Sequence, residues 1–230
     1  MSLILNIETA TQHCSVGLAD HGKIIAIRES NEKNIHASKV TVFTDEVCRE
    51  AGIGMKDLDV IAVSKGPGSY TGLRIGVSAA KGFCYALGIP LLAVPTLQSM
   101  ALKVSMLSNY PEDILFCPMI DARRMEVYTA LFDRENKPVK DTEALIMDEN
   151  SFEEELKGHE IIYFGDGAEK GRELLDPKGM KFLDGIQPSA DGMAIISYNK
   201  FGKGHTEDLA YFEPFYLKDF IAGPSKVKGL

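Results

Sequence analysis

The stretch Lys65–Gly82 reads KGPGSYTGLRIGVSAAKG and follows the apolar run VIAVS. Glycines, small hydroxyl residues and then a helical pattern are the set that aims backbone N–H groups and the positive end of a helix at one anion. On that reading Gly66, Gly68 and Ser69 are candidate phosphate or nucleotide contacts. The register departs from a P-loop, because Gly66, Gly68 and Gly72 are followed by Leu73-Arg74, and the loop lacks G-x-G-x-x-G as well. The alternative is structural. Gly66-Pro67-Gly68 then makes a tight turn, and Gly72, Gly76 and Ala80 give the helix a flat, small face that lets another helix come close. Spacing alone favours packing within the chain over packing between chains.

Two further groups could hold an anion. Gly165, Asp166 and Gly167 follow the apolar run EIIYF and read equally as a second phosphate-side loop or as the start of a helix. IDARRMEVY places Asp121, Arg123, Arg124 and Glu126 at the start of a hairpin. Either arginine there suits an anion, but an Asp121–Arg123 pair that fixes the turn is favoured, since guanidinium forks suit carboxylates as well as phosphates. The histidines His13, His21, His36, His159 and His205 are scattered, with no local spacing for a metal. His21 falls in a turn and His36 just before a helix, where solvent-facing histidines are ordinary. No metal site is expected.

The elements that must carry these groups follow from periodicity. LILNIET, CSVGLAD and KIIAIRES read as three strands, with a tight Asp20-His21-Gly22 turn between the last two. Val40, Phe43, Val47 and Ala51 recur at helical spacing over His36–Ala51. Strand Val60–Ser64, a helix over Leu73–Leu87 closed by Gly88 and Pro90, strand LLAVP and a helix over Thr96–Ser108 complete the first half. ILFCPMID, MEVYTALFD and VKDTEALIM then give three strands again. A short acidic helix near Ser151–Leu156, the strand EIIYF and GDGAEK opening a helix follow. Both halves read β-β-β-α-β-α, so the chain is an α/β protein with a duplicated fold and mixed sheets, divided near residues 1–104 and 105–230.

Bulk properties narrow the function. The 230 residues are 45% hydrophobic, enough for a large core. The net charge of −8 leaves no broad basic face, which argues against unaided nucleic-acid binding. Cys14, Cys48, Cys84 and Cys117 lie far apart and read as reduced, buried thiols. The opening MSLILNIETATQ carries no basic leader and no run is long enough to span a bilayer, so a cytoplasmic protein is expected. Gly223–Leu230, with Lys226 and Lys228, reads as a mobile tail.

The string GPGSYTGLRIGVSAAKG, with LILNIETATQHCSVGL before it and IDARRMEVY after it, closely resembles the bacterial TsaB (YeaZ) family, accessory proteins of tRNA threonylcarbamoyladenosine synthesis. The resemblance runs from the first strand to about Gly167 and continues weakly to EPFYL. It implies the ASKHA architecture of acetate and sugar kinases, Hsp70 and actin. It also implies a non-catalytic partner of TsaD, the subunit that transfers the threonylcarbamoyl group, working alongside the ATPase TsaE. The helices matching His36–Ala51 and Leu73–Leu87 would serve a homodimer when alone and the TsaD heterodimer otherwise. Val40, Phe43, Val47, Gly72, Gly76, Ala80 and Cys84 are the candidate interface residues. tRNA would be met only through the complex, and no cofactor is expected beyond ATP or ADP at the shared interface.

Catalytic machinery is expected to be missing. TsaD-like proteins carry a metal-binding His-x-x-x-His pair whose positions fall here near Thr96 and Met100. ASKHA kinases place an aspartate in the first strand, where this chain has N-I-E-T, with Asn6 and Glu8. The competing reading is an autonomous ASKHA-type small-molecule kinase or metal-dependent glycoprotease.

Overall fold

The computed structural model describes residues 2–218, so the tail Gly223–Leu230 lies outside the described residues. Strands β1 (Leu3–Glu8), β2 (Cys14–Asp20) and β3 (Lys23–Ser30) form an antiparallel meander. Its second turn needs positive φ at both His21 (50°) and Gly22 (76°), the demand of a two-residue hairpin. Helix α1 (His36–Glu50) leads to β4 (Val60–Gly66), α2 (Tyr70–Leu87), β5 (Leu91–Pro95) and α3 (Thr96–Ser105). The second half repeats the series: β6 (Ile114–Asp121), β7 (Glu126–Phe132), β8 (Pro138–Ile146), α4 (Glu153–Leu156), β9 (Glu160–Phe164), α5 (Arg172–Leu175), β10 (Lys181–Leu183) and α6 (Ala190–Gly202). Two five-stranded sheets result, ordered β3-β2-β1-β4-β5 and β8-β7-β6-β9-β10. In each, the first strand is central, antiparallel to the second and parallel to the fourth. This is a duplicated α/β architecture with mixed sheets, the arrangement that the ASKHA resemblance implies.

Helix α2 starts three residues earlier than its apolar pattern suggests, because Ser69 caps it: its Oγ accepts from the Gly72 N–H at 3.2 Å. It stops where Gly88 turns left-handed (φ 68°) and the Gly88 and Ile89 N–H groups close on the Cys84 carbonyl. The helix expected after Gly165-Asp166-Gly167 is broken into a 3₁₀ turn at Glu169–Gly171 and the single turn of α5. Pro177 comes two residues after it, at a position where no long helix can continue.

Helices α1 and α2 cover one face of the first sheet, burying Leu5, Ile7, Val16, Leu18, Ile61 and Val63 beneath Val40, Phe43, Val47, Val77 and Ala80. The opposite face, with Ile4, Val60, Ala62, Leu92 and Val94, is covered by Met193, Ile196 and Phe201 of α6. Helix α3, in turn, packs its Leu97, Met100, Ala101 and Val104 on Ile114, Phe116, Phe132 and Phe164 of the second sheet. Each half therefore lends its last helix to the other. The two exchanged helices cross at Gly192, where a Cβ would stand 2.7 Å from the Ser99 carbonyl oxygen. Only glycine permits that approach.

The chain then returns to the first half. The Glu207 N–H donates to the Leu91 carbonyl at 2.8 Å and the Phe215 N–H to the Lys65 carbonyl at 2.7 Å. Lys81 Nζ donates to the carbonyls of Ala210 and Phe212, both at 3.1 Å, so this strap covers one flank of α2.

Candidate functional site

The glycine turn after β4 is filled by the chain itself. A Cβ on Gly68 would lie 2.3 Å from the Ala10 carbonyl oxygen, one on Gly72 2.2 Å from that of Thr9, and one on Gly76 2.2 Å from Thr9 Oγ1. A Cβ on Gly66 (φ 104°) would lie 2.8 Å from the Phe215 carbonyl oxygen. The Ser69 N–H donates to the Ala10 carbonyl, and the Ser69 hydroxyl is spent on capping. These glycines let the β1–β2 connection and the strap lie directly on the start of α2. As phosphate contacts, Gly66 and Gly68 are therefore corrected, because backbone occupies their open side, while Ser69 is exposed with its hydroxyl on the Gly72 N–H.

The second half is built alike. A Cβ on Gly165 would stand 2.2 Å from the Met119 carbonyl oxygen and one on Gly167 2.8 Å from the Ile120 carbonyl carbon. Asp166 Oδ1 accepts from the Asp121 N–H at 3.1 Å. The trio serves as a joint between β9 and β6, and the phosphate reading of Gly165, Asp166 and Gly167 is replaced by this one. Arg123 and Arg124 both sit at positive φ (73° and 49°) in the β6–β7 turn and are exposed. The turn is tied by the Arg123 N–H donating to Asp121 Oδ1 at 2.9 Å, while that carboxylate's ion pair is with Lys170. The expected Asp121–Arg123 pair thus exists through the backbone and not through the guanidinium.

The interior ends of β1 and β4 hold polar groups. Asn6 and Glu8 share the α6 face with Ile4 by strand alternation, and Ser64 lies beside them. Glu8 is fully buried; its Oε1 accepts from the Ala10 N–H at 2.7 Å, while Oε2 meets no hydrogen-bond partner among the described residues. Burial pushes its pKa up to about 7, against the pull of the Ser64 hydroxyl and the Ala10 and Thr9 N–H groups. Close by, His13 Nε2 lies 3.3 Å from Glu29 Oε1 and the Ser15 hydroxyl donates to the same carboxylate at 2.8 Å. His13 foremost, with Ser189 and Ser15, holds Glu29 down to about 2. Thr96 and Met100 are buried, Met100 within the α3 core. Among the described residues no three His, Cys, Asp or Glu side chains converge in a way that could hold a metal ion. All four cysteines are free and buried, and burial raises the thiols of Cys14 and Cys84 to about 11 and of Cys117 to about 12.

The helix pair needs the largest correction. Val40, Phe43, Val47, Gly72, Gly76, Ala80 and Cys84 are all buried under the chain's own fold, at 7% exposure or less where apolar. Their stripes face the sheet, because an apolar sheet face exerts the same demand on a helix as a partner would. The solvent side of α2 presents Ser78, Gly82 and Tyr85, with Ile75 and Ala79 half-buried beside them. Tyr85 is 84% exposed, and Val42 on α1 is 43% exposed on the same side. A Cβ on Gly82 would meet nothing within 4 Å. The signal for this second stripe was in the sequence, since positions 75, 78, 82 and 85 step by three, four and three. The buried stripe merely outshone it. His36, expected to face solvent, is instead 8% exposed.

Over 95% of its length, this chain is 31% identical to the tRNA threonylcarbamoyladenosine biosynthesis protein TsaB of Escherichia coli (strain K12), of which it covers 96%. The chain belongs to the TsaB family. A TsaB protein of Bacillus subtilis (strain 168) is 29% identical over 94% of the chain and 93% of its own length. The family model of TsaD, described as tRNA N6-adenosine threonylcarbamoyltransferase, matches residues 24–219. In fold, the chain superposes on YeaZ from Pseudomonas aeruginosa with a TM-score of 0.80 at 23% identity, covering 94% of this chain and 100% of that one. Within this TsaB-family chain, the glycine-rich string Gly66–Gly76 is the one that seats α2 on the β1–β2 connection. No helix among the described residues is long and apolar enough to cross a membrane.

Proposed function

We propose that this TsaB-family chain is a non-catalytic scaffold in tRNA threonylcarbamoyladenosine formation. In this reading it activates a TsaD-like transferase by offering the outer face of α1 and α2. The observation that carries the proposal is the solvent-side stripe of α2: small residues at Ser78, Ala79 and Gly82 with an almost fully exposed Tyr85, while α1 exposes Val42. Small residues let a partner helix come close, and an exposed aromatic at the rim of such a face is the residue type that dominates binding energy. The same face serves a homodimer when the chain is alone. A TsaE-like ATPase joins the assembly, tRNA is met only through it, the complex works in the cytoplasm, and the ATP or ADP that the assembly uses binds where the partners meet.

The absence of chemistry in this chain is supported by its acids. Glu8 is a single buried carboxyl that ionises only near neutrality, whereas magnesium-dependent phosphoryl transfer needs ionised carboxylates on the ion.

The test is reconstitution with a purified TsaD-like transferase and TsaE-like ATPase. Ser78→Glu and Gly82→Glu should each fold with a melting temperature no lower than the parent's and lose co-purification and activation of the transferase. Tyr85→Ala should weaken association by roughly thirtyfold. Glu8→Gln and Arg123→Ala should leave activation intact. ATP turnover or peptide cleavage by the isolated chain, abolished by Glu8→Gln, would replace the scaffold with the kinase or glycoprotease reading.

A further inference from the structure

The strap, residues 207–216, follows one row of α2 from end to end. Tyr70, Arg74, Lys81 and Tyr85 lie on that row, since residues three or four apart stack on one side of a helix. At the start of the row the Tyr216 ring stacks on Tyr70 with centroids 4.9 Å apart. Arg74 reaches the same tyrosine, its guanidinium 5.4 Å from the ring centre and its Nη1 donating to the hydroxyl at 3.2 Å. Further along, Lys81 clasps the carbonyls on either side of Tyr211, and past the last turn the Glu207 N–H holds the Leu91 carbonyl. Leu209 and Phe212 turn inward onto the core of the first half. Tyr211 turns out.

The surface that results is aromatic. The chain has 8 tyrosines and 11 phenylalanines. Among the described residues the four of them with the greatest exposure are Tyr85 (84%), Tyr211 (85%), Phe215 (42%) and Tyr216 (37%), and all four lie on α2 or the strap. Exposed rings gathered in one place beside an arginine have the composition of the centre of a protein interface. RNA would ask for free cations along the same track. Here Lys81 is spent on carbonyls and Lys218 is paired with Glu126, while the strap adds the exposed acids Asp208 and Glu213. This charge pattern suits an apolar protein surface.

We propose that the docking face of this chain is composite: Tyr211, Phe215 and Tyr216 of the strap join Tyr85 and the small residues of α2 in contacting the TsaD-like transferase. This rests on the docking reading of α2 and extends it to a segment from the end of the chain. The two parts are continuous, because Lys81, which seats the strap, stands one turn from both Ser78 and Tyr85. The small residues let the partner come close, and the rings beside them supply the area that holds it.

Interferometry of the full chain on immobilised, purified transferase tests it. Tyr211→Ala and Phe215→Ala should each weaken association roughly tenfold or more. Tyr211 stands in solvent, so its variant should melt like the parent, and a melting curve separates lost binding from lost folding for Phe215→Ala. Ile146→Ala, which truncates an exposed apolar side chain on β8, should bind like the parent. Parent affinity in both strap variants, or an equal loss in Ile146→Ala, overturns the proposal. So does a loss confined to self-association, or to RNA binding by the assembled complex, with the transferase held as tightly as before; those results assign the rings to a second copy or to RNA. The two readings fail separately. If Ser78→Glu abolishes association while both strap variants bind like the parent, the α2 face stands and the composite face falls. If the strap variants weaken binding that Ser78→Glu leaves intact, the strap contact stands and the α2 stripe falls.

Discussion

Replacing Glu8 by Gln should abolish a specific pH dependence of stability. In the folded chain burial holds the Glu8 carboxyl at about 7 against an ordinary 4.5. Below pH 4.5 both folded and unfolded chains carry the proton, and Glu8 adds no slope. Between 4.5 and 7 the unfolded chain releases the proton while the folded chain keeps it, so stability falls as pH rises. Above 7 the buried carboxylate is charged and the penalty is constant. The span of about 2.5 pH units at about 1.36 kcal/mol each makes that penalty about 3 kcal/mol. Gln keeps the carbonyl that accepts from Ala10 and never charges. Urea unfolding of parent and Glu8→Gln at pH 5, 6, 7 and 8 gives the difference between them, in which every other titrating group cancels. That difference should move in favour of Gln by about 3 kcal/mol from pH 4.5 to 8, whatever fixed cost the substitution carries. A difference that stays flat with pH would show that Glu8 is hydrated or paired, and the reasoning about the first strand would be wrong.

Ala80→Glu should unfold the chain outright by circular dichroism, because it buries an unpaired charge at a position with no exposure, whereas Ser78→Glu two residues away should melt normally. Gly192→Val should cost roughly 2 kcal/mol or more in chemical denaturation by forcing α3 and α6 apart at the Ser99 carbonyl. Gly82→Ala, in open space on α2, should instead gain about 0.5–1 kcal/mol. Glu29→Gln should flatten the acid limb of the stability curve: a carboxylate held at about 2 contributes stability that is present above 4.5 and lost as pH falls toward 2. Native thiols should resist Ellman's reagent and all four should react in denaturant, since each is buried in its protonated form.

Much of the fold was legible before any coordinates. Alternation marked the strands, three-and-four spacing marked α1 and α2, and the repeated order of elements disclosed the duplication, because each of these patterns is local and set by which side of an element is dry. The string GPGSYTGLRIG was equally readable as a family mark. What spacing could not say is what each small or apolar stripe touches. Gly72 and Gly76 satisfy both a partner helix and the chain's own Thr9, and only the position of the β1–β2 connection decides between them. The exchange of α3 and α6 between the sheets, the closure of the glycine turns by backbone, and the burial of His36 at the meeting of two helix ends all join residues far apart in sequence. Periodicity reports the environment of a segment averaged over its neighbours. The identity of the atom across the gap is a property of tertiary packing, and it is what separates a core from an interface.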